Sequence, residues 1–193
     1  MTGKIAHDSQ FIRYVRELAT KGEPGAQFVL VFYLASRHDA GKYRKTCMEL
    51  LHRLSLQGNS LADYAIGNWH LYGLGVRKSQ EKAFRYLLAA ARKGHPAAQY
   101  DVGVCFSRGA GTRKSYKEAA KWFGKAAAGG DGAAQLELGL CYFHGAGVPR
   151  SLQRAIHWYK LAVRNGNKEA RIRLQELKKL RSVSFGAHEK RNR

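Results

Sequence analysis

Residues Gly94–Gly129 read GHPAAQYDVGVCFSRGAGTRKSYKEAAKWFGKAAAG, and the element that opens this stretch, Gly-x-x-x-Ala, occurs five times at one interval. It stands at Gly22 to Ala26, Gly58 to Ala62, Gly94 to Ala98, Gly130 to Ala134 and Gly166 to Ala170, with 36 residues between successive copies (58−22, 94−58, 130−94, 166−130). A period of this size marks a solenoid, in which each repeat buries its apolar face only by stacking on its neighbours. Such a chain presents a long surface and seldom a catalytic pocket. The expected function is therefore binding.

Aligned on the alanine, each copy has two parts. The first runs Ala62, Ile66, Gly67, His70, Gly73; then Ala98, Val102, Gly103, Phe106, Gly109; then Ala134, Leu138, Gly139, Tyr142, Gly145. Offsets of 0, 4, 5 and 8 from the alanine fall on one side of an α-helix, here helix A. Its small residues admit a close partner and the large ninth residue fills the space beside them. Gly-x-Gly then ends it, at Gly73 to Gly75, Gly109 to Gly111 and Gly145 to Gly147, because the residue past a helix end is often left-handed. The second part, helix B, has Ala83, Tyr86, Leu87, Ala90; then Ala119, Trp122, Phe123, Ala126; then Ala155, Trp158, Tyr159, Ala162, again one helical face. Ser79, Ser115 and Ser151 precede the B helices as N-caps, and Gly94, Gly130 and Gly166 end them.

This pattern resembles the Sel-1-like repeat, a relative of the tetratricopeptide repeat, over three clear copies from Leu61 to Gly166 and two weaker ones at the ends. The resemblance implies an all-α, right-handed α-α superhelical solenoid, and residue counting puts about ten helices in it. The family often has Asp where this chain has Ser79, Ser115 and Ser151, and the first copy has Val31 for the glycine and Arg37-His38-Asp39 for Gly-x-Gly. Phe11, Tyr14, Val15 and Leu18 precede Cys47, Leu50, Leu51 and Leu54 by 36, so residues 9–20 are expected to be an unpaired B helix capping the N-terminal end. The expected organisation is one elongated domain over residues 1–181. Its repeats are 22–57, 58–93, 94–129 and 130–165, a charged capping helix spans 166–181, and a basic disordered tail spans 182–193.

Composition bounds the partner more than the chemistry. Lys and Arg number 34 against 14 Asp and Glu, a formal net charge of +20. Residues 58–167 alone carry 16 basic and 6 acidic groups, so the excess belongs to the repeats and not only to the tail. Such an excess favours an anionic partner: nucleic acid, an acidic protein face or an acidic membrane surface. The N-terminus is polar and the longest apolar run, Phe28 to Ala35, is far short of the ~20 residues of a membrane helix, so a soluble, cytoplasmic protein is expected. Three cysteines, an odd number, argue against a disulfide framework, and Cys105 and Cys141 read as small packing residues at equivalent places in adjacent repeats.

No metal or cofactor site is expected, since the eight histidines are scattered and neither His-Glu-x-x-His nor paired Cys-x-x-Cys occurs. Two surfaces are candidates. Lys42, Lys78, Lys114 and Arg150 are in phase on the connectors and form a basic ridge along one edge, or are merely solvated charges. On helix A, Asn68, Tyr72, Arg108 and His144 point away from the A/B contact into a concave groove, where relatives of the repeat bind peptides and proteins. Tyr64 and Tyr100 point the same way but are assigned to the seams between repeats. The resemblance implies a scaffold: in signalling, in membrane-complex assembly, in bacterial contact with hosts, or in immunity to secreted toxins. The expected function is thus a non-catalytic adaptor, read as a monomer, that binds a protein with an acidic face. The alternative is a nucleic-acid-binding solenoid that uses the ridge and the tail.

Overall fold

A computed structural model describes residues 12–36 and 43–177, and these contain ten helical segments and no strand. They are α1 (12–20), α2 (Pro24–Ser36), α3 (Arg44–Leu56), α4 (Ser60–Tyr72), α5 (Gln80–Arg92), α6 (Pro96–Arg108), α7 (Tyr116–Ala128), α8 (Gly132–His144), α9 (Leu152–Arg164) and α10 (168–177). Even-numbered helices are the A helices and odd-numbered ones the B helices. The beginning of the 9–20 segment, Arg37-His38-Asp39, Lys42, the end of the 166–181 segment and the 182–193 tail lie outside the described residues. The chain divides into two compact units, Met1–Ala98 and Gln99–Arg193.

The starts of α4 to α10 are satisfied by a side chain at a fixed place in the repeat, whereas α3 begins after Tyr43 with no side-chain cap. Before α5, α7 and α9, the Oγ atoms of Ser79, Ser115 and Ser151 accept from the N–H groups of Lys82, Glu118 and Arg154, each at 3.3 Å. The A helices have caps that the glycine and alanine pattern does not reveal. Asn59 Oδ1 accepts from Ala62 N–H at 3.1 Å, His95 Nδ1 from Ala98 N–H at 3.2 Å, Asp131 Oδ1 from Ala134 N–H at 2.8 Å, and Asn167 Oδ1 from Ala170 N–H at 3.0 Å. Three residue types fill this one role because all offer an acceptor at the same reach.

The connectors are pinned in the same repetitive way. The N–H groups of Ser79, Ser115 and Ser151 donate to the carbonyls of His70, Phe106 and Tyr142 at 2.9, 2.9 and 2.8 Å. The second glycine of the turn does more than bend the chain. A Cβ on Gly147 (φ +75°) would lie 2.1 Å from the Tyr116 carbonyl oxygen, so the connector runs directly over the first turn of α7.

In the first unit the core gathers Leu34, Leu51, Leu54, Ala62 and Ile66, all nearly or wholly out of solvent. In the second, Ala119, Phe123, Ala126 and Ala134 form one cluster and Ala155, Tyr159, Ala162 and Ala170 another. Close approach of A to B sets the packing distance. A Cβ on Gly103 would meet the Phe123 ring at 2.6 Å, and one on Gly139 the Tyr159 ring at 2.5 Å. Burying each ring contributes about 2–3 kcal/mol, which the missing Cβ makes possible. In the first copy Val31 replaces this glycine and is itself buried in the core. Cys47, Cys105 and Cys141 are free and buried, and burial pushes the thiols of Cys105 and Cys141 up to about 11.

Candidate interaction surface

One polar position sits beneath the repeat surface. In three of the five copies the residue after the pattern's alanine is buried: Gln27, Asp63 and Gln135. Gln27 Nε2 donates to the Ala19 carbonyl and Gln135 Nε2 to the Ala127 carbonyl, both at 3.1 Å, tying an A helix to the preceding B helix. Asp63 has no N–H to give. There Ser55 replaces the alanine and its hydroxyl donates to Asp63 Oδ1, while Lys93 Nζ donates to Oδ2 at 2.6 Å. Lys93 is in phase with Asn165, whose Nδ2 donates to Gln135 Oε1 at 2.9 Å. Asp63 is thus a satisfied structural carboxylate and not a ligand-binding one.

Three of the four helix A candidates, Tyr72, Arg108 and His144, occupy one place in the repeat, and Asn68 stands one turn earlier. Asn68 is half-buried on α4, with Tyr72 one turn later and 67% exposed. Arg108 and His144 end α6 and α8 at the place of Tyr72, and both are exposed. Asn68 and Tyr72 therefore share a strip in the first unit, while Arg108 and His144 belong to the second. Tyr64 and Tyr100 behave as seam residues: Tyr64 stacks on His95 with ring centroids 4.4 Å apart, and Tyr100 packs on Phe123 at 5.9 Å.

Of the ridge residues, Lys42 lies outside the described residues and Lys78 is exposed. Lys114 lies over the Tyr116 ring at 4.7 Å, and Arg150 Nε donates to the Phe143 carbonyl at 3.1 Å near the end of α8. Two of the ridge cations thus also have local structural partners.

Charge is unevenly shared among the helices. In the second unit, α7 and α9 carry Lys117, Lys121, Lys125, Arg154, Lys160 and Arg164 against one acid, Glu118. On α8 the only Asp, Glu, Lys or Arg is Glu137, half-buried, whose carboxyl is pushed up by burial and by Glu169 and held down by Arg108. In this unit most of the positive excess that suggests an acidic partner therefore lies on α7, α9 and the connectors.

A hollow of about 170 Å³ opens beside α8 in this unit. Leu140, Phe143, Tyr159 and Leu177 give it apolar walls, and His144 and Arg173 stand among its polar groups. Arg173 pairs with Glu169 at 3.1 Å and with Glu176 at 3.3 Å. The sequence pattern named His144 but not the hollow, because α10 closes it from the C-terminal side. Among the described residues no helix is long and apolar enough to cross a membrane.

The Sel1 repeat model matches residues 60–95, 96–131 and 132–167. Over 90 residues the chain is 38% identical to protein sel-1 homolog 2 of Rattus norvegicus, and equally so to that of Mus musculus, covering 45% of this chain and 13% of theirs. The chain thus spans a small part of the length of these relatives. It is similar to the structure of a Sel1 repeat protein from Oxalobacter formigenes, with a TM-score of 0.79 and 31% identity over 86% of this chain and 48% of that one. It is also similar to c5321, a protective antigen present in uropathogenic Escherichia coli strains and displaying an SLR fold, with a TM-score of 0.78 and 31% identity over 82% of this chain and 34% of that one.

Proposed function

The chain belongs to the Sel1-repeat family, and from that premise we propose that it is a non-catalytic scaffold that binds a protein partner on the exposed faces of its A helices. Asn68 and Tyr72 serve in one unit, Arg108 and His144 in the other. Cations on the connectors and B helices steer an acidic part of the partner toward them.

One observation carries this reading. Packing positions keep their type from copy to copy, as with Ala62, Ala98 and Ala134 or Gly67, Gly103 and Gly139, whereas the half-buried and exposed positions outside the A/B contact do not. Asn68, Val104 and Leu140 share one place, and Tyr72, Arg108 and His144 another. Residues that the common packing leaves free to differ are those available for recognition.

The test is affinity capture with the immobilised chain, with and without nuclease. A stoichiometric protein that survives nuclease, and is lost on changing Asn68, Tyr72, Arg108 and His144 together to Ala, supports the reading. A second reading, binding of nucleic acid, is favoured by α9, which carries Arg154, Lys160 and Arg164 and no acid. Material removed by nuclease would establish that one instead.

A further inference from the structure

The starts of α7 and α9 lie at one end of the second unit. Both helices pack on α8. The connector that leaves α8 brings Gly147 against the Tyr116 carbonyl and packs Val148 on the core that α7 and α8 share, then enters α9. Tyr116 and Leu152 open the two helices, in phase at 36 residues, and are 47% and 48% exposed. The repeat does not call for an apolar residue there, since Gln80 holds the same place in the copy before.

Exposed cations flank this pair: Arg113, Lys114 and Lys117 beside Tyr116, and Arg150 and Arg154 beside Leu152. Among the described residues none of them is paired with an acid. Three have neutral partners instead: Lys114 lies over the Tyr116 ring, Arg150 donates to the Phe143 carbonyl and Arg154 lies over the Tyr142 ring. Such contacts hold a cation in place without cancelling its charge. The chain has no Asp or Glu from Val102 to Lys117 or from Leu138 to Lys168, and Glu118 lies 3.9 Å from Lys121. Lys117 and Arg154 also stand in the first turns of their helices, at the positive end of the helix dipole, where a cation is unfavourable. Helix stability gives no reason for this charge, and packing gives none for the apolar pair.

We infer that the starts of α7 and α9, with the connectors before them, form a peripheral contact for an acidic membrane surface. The cations meet the headgroup phosphates and carboxylates, while Tyr116 and Leu152 enter the boundary with the acyl chains. A tyrosine suits that boundary because its hydroxyl stays in the wet headgroup layer and its ring lies below. Nucleic acid would engage the cations but offers nothing to Leu152, which has no ring on which a base stacks. A protein would need a pocket for each apolar side chain and a carboxylate for each cation, whereas a fluid acidic bilayer meets this arrangement without a specific fit. None of Asn68, Tyr72, Arg108 and His144 belongs to this surface, so the inference and the scaffold reading fail separately.

The test is co-sedimentation of the full chain with vesicles of phosphatidylcholine alone and of phosphatidylcholine mixed with phosphatidylserine. Binding is expected only to the mixed vesicles and should fall as salt is raised. Tyr116→Gln with Leu152→Gln should weaken it about tenfold, since two apolar side chains no longer enter the bilayer. Lys114→Gln with Lys117→Gln should weaken it about twentyfold, about fivefold for each charge. Lys160→Gln with Arg164→Gln removes the same charge at the far end of α9, beyond the reach of the surface field, and should weaken binding by about twofold at most. Circular dichroism checks that the helices persist, and if the apolar pair of changes unfolds the chain, the two pairs of charge changes still decide. No binding to mixed vesicles, binding unaffected by Tyr116→Gln with Leu152→Gln, or equal losses from the two pairs of charge changes would overturn the inference. Capture of single-stranded RNA by a chain that ignores the mixed vesicles would overturn it in favour of nucleic acid.

Discussion

Lys93 Nζ lies 2.6 Å from Oδ2 of Asp63, a carboxylate on α4 that is 2% exposed and that Ser55 also meets through its hydroxyl. Elsewhere the same three places hold Ala127, Gln135 and Asn165, which make a neutral network. The two sets are alternative solutions to one problem, that of joining an A helix to the B helices before and after it. Lys93→Ala leaves the carboxylate short of a partner and should lower the unfolding free energy by about 1–3 kcal/mol. Installing the neutral set through Ser55→Ala, Asp63→Gln and Lys93→Asn should restore it to within about 1 kcal/mol of the starting protein. Urea denaturation measures both, and a triple variant weaker than Lys93→Ala would show that the networks are not interchangeable.

Close approach at the turn separates two glycines with similar backbones. Gly130 and Gly147 both have positive φ, at 90° and 75°, so alanine at either incurs about 1–2 kcal/mol of left-handed strain. Only at Gly147 does the added Cβ meet the Tyr116 carbonyl, whereas nothing lies within 4 Å at Gly130. Gly147→Ala should therefore exceed Gly130→Ala by about 1–3 kcal/mol in the same denaturation assay. Equal effects would mean that the connector does not press on α7.

Overpacking offers a separate check on the helix faces. Ala134 is wholly buried, so Ala134→Leu should destabilise by about 1–3 kcal/mol, while Lys121→Ala on the exposed side of α7 should stay within about 0.5 kcal/mol. Matching midpoints for the two variants would contradict the assignment of faces.

The cap of α6 is sensitive to pH. His95 accepts the Ala98 N–H through Nδ1, and burial lowers the pKa of its ring below the ordinary 6.5. Above that value both folded and unfolded chains hold it neutral, and the cap is intact. As pH falls through 6.5 the unfolded chain takes up the proton first, so this contribution to stability is lost on acidification. His95→Asn retains an acceptor that does not titrate. The stability difference between the two proteins should shift in favour of the variant from about pH 8 to about pH 5, and a difference independent of pH would exclude the histidine cap as its source.

The two candidate surfaces give opposite outcomes in binding. For a protein partner, replacing Asn68, Tyr72, Arg108 and His144 should abolish capture, because a few interface residues carry most of the energy. Charge reversal at Lys42, Lys78, Lys114 and Arg150 should mainly slow association and flatten its salt dependence. For nucleic acid the order inverts, with ridge reversal eliminating binding and wild-type affinity falling steeply with salt. Surface plasmon resonance at two salt concentrations reads both.

The 36-residue period by itself determined the helix pairs, the Ser79, Ser115 and Ser151 caps, the glycine turns and the burial of Ala98 and Ala134. These follow from features within one or two turns of chain, where spacing is geometry. Tertiary structure alone decided that Asp63 is buried and satisfied, because its partners Ser55 and Lys93 come from the B helices on either side of α4. It likewise decided that Gly147 crosses the first turn of α7, that Arg150 is tied to the Phe143 carbonyl, and that α10 completes a hollow beside His144. Periodicity gives the direction in which a side chain leaves its helix, but which atoms meet it depends on residues of other helices and connectors, as with Lys93, 30 places from Asp63, and those are set only when the repeats stack.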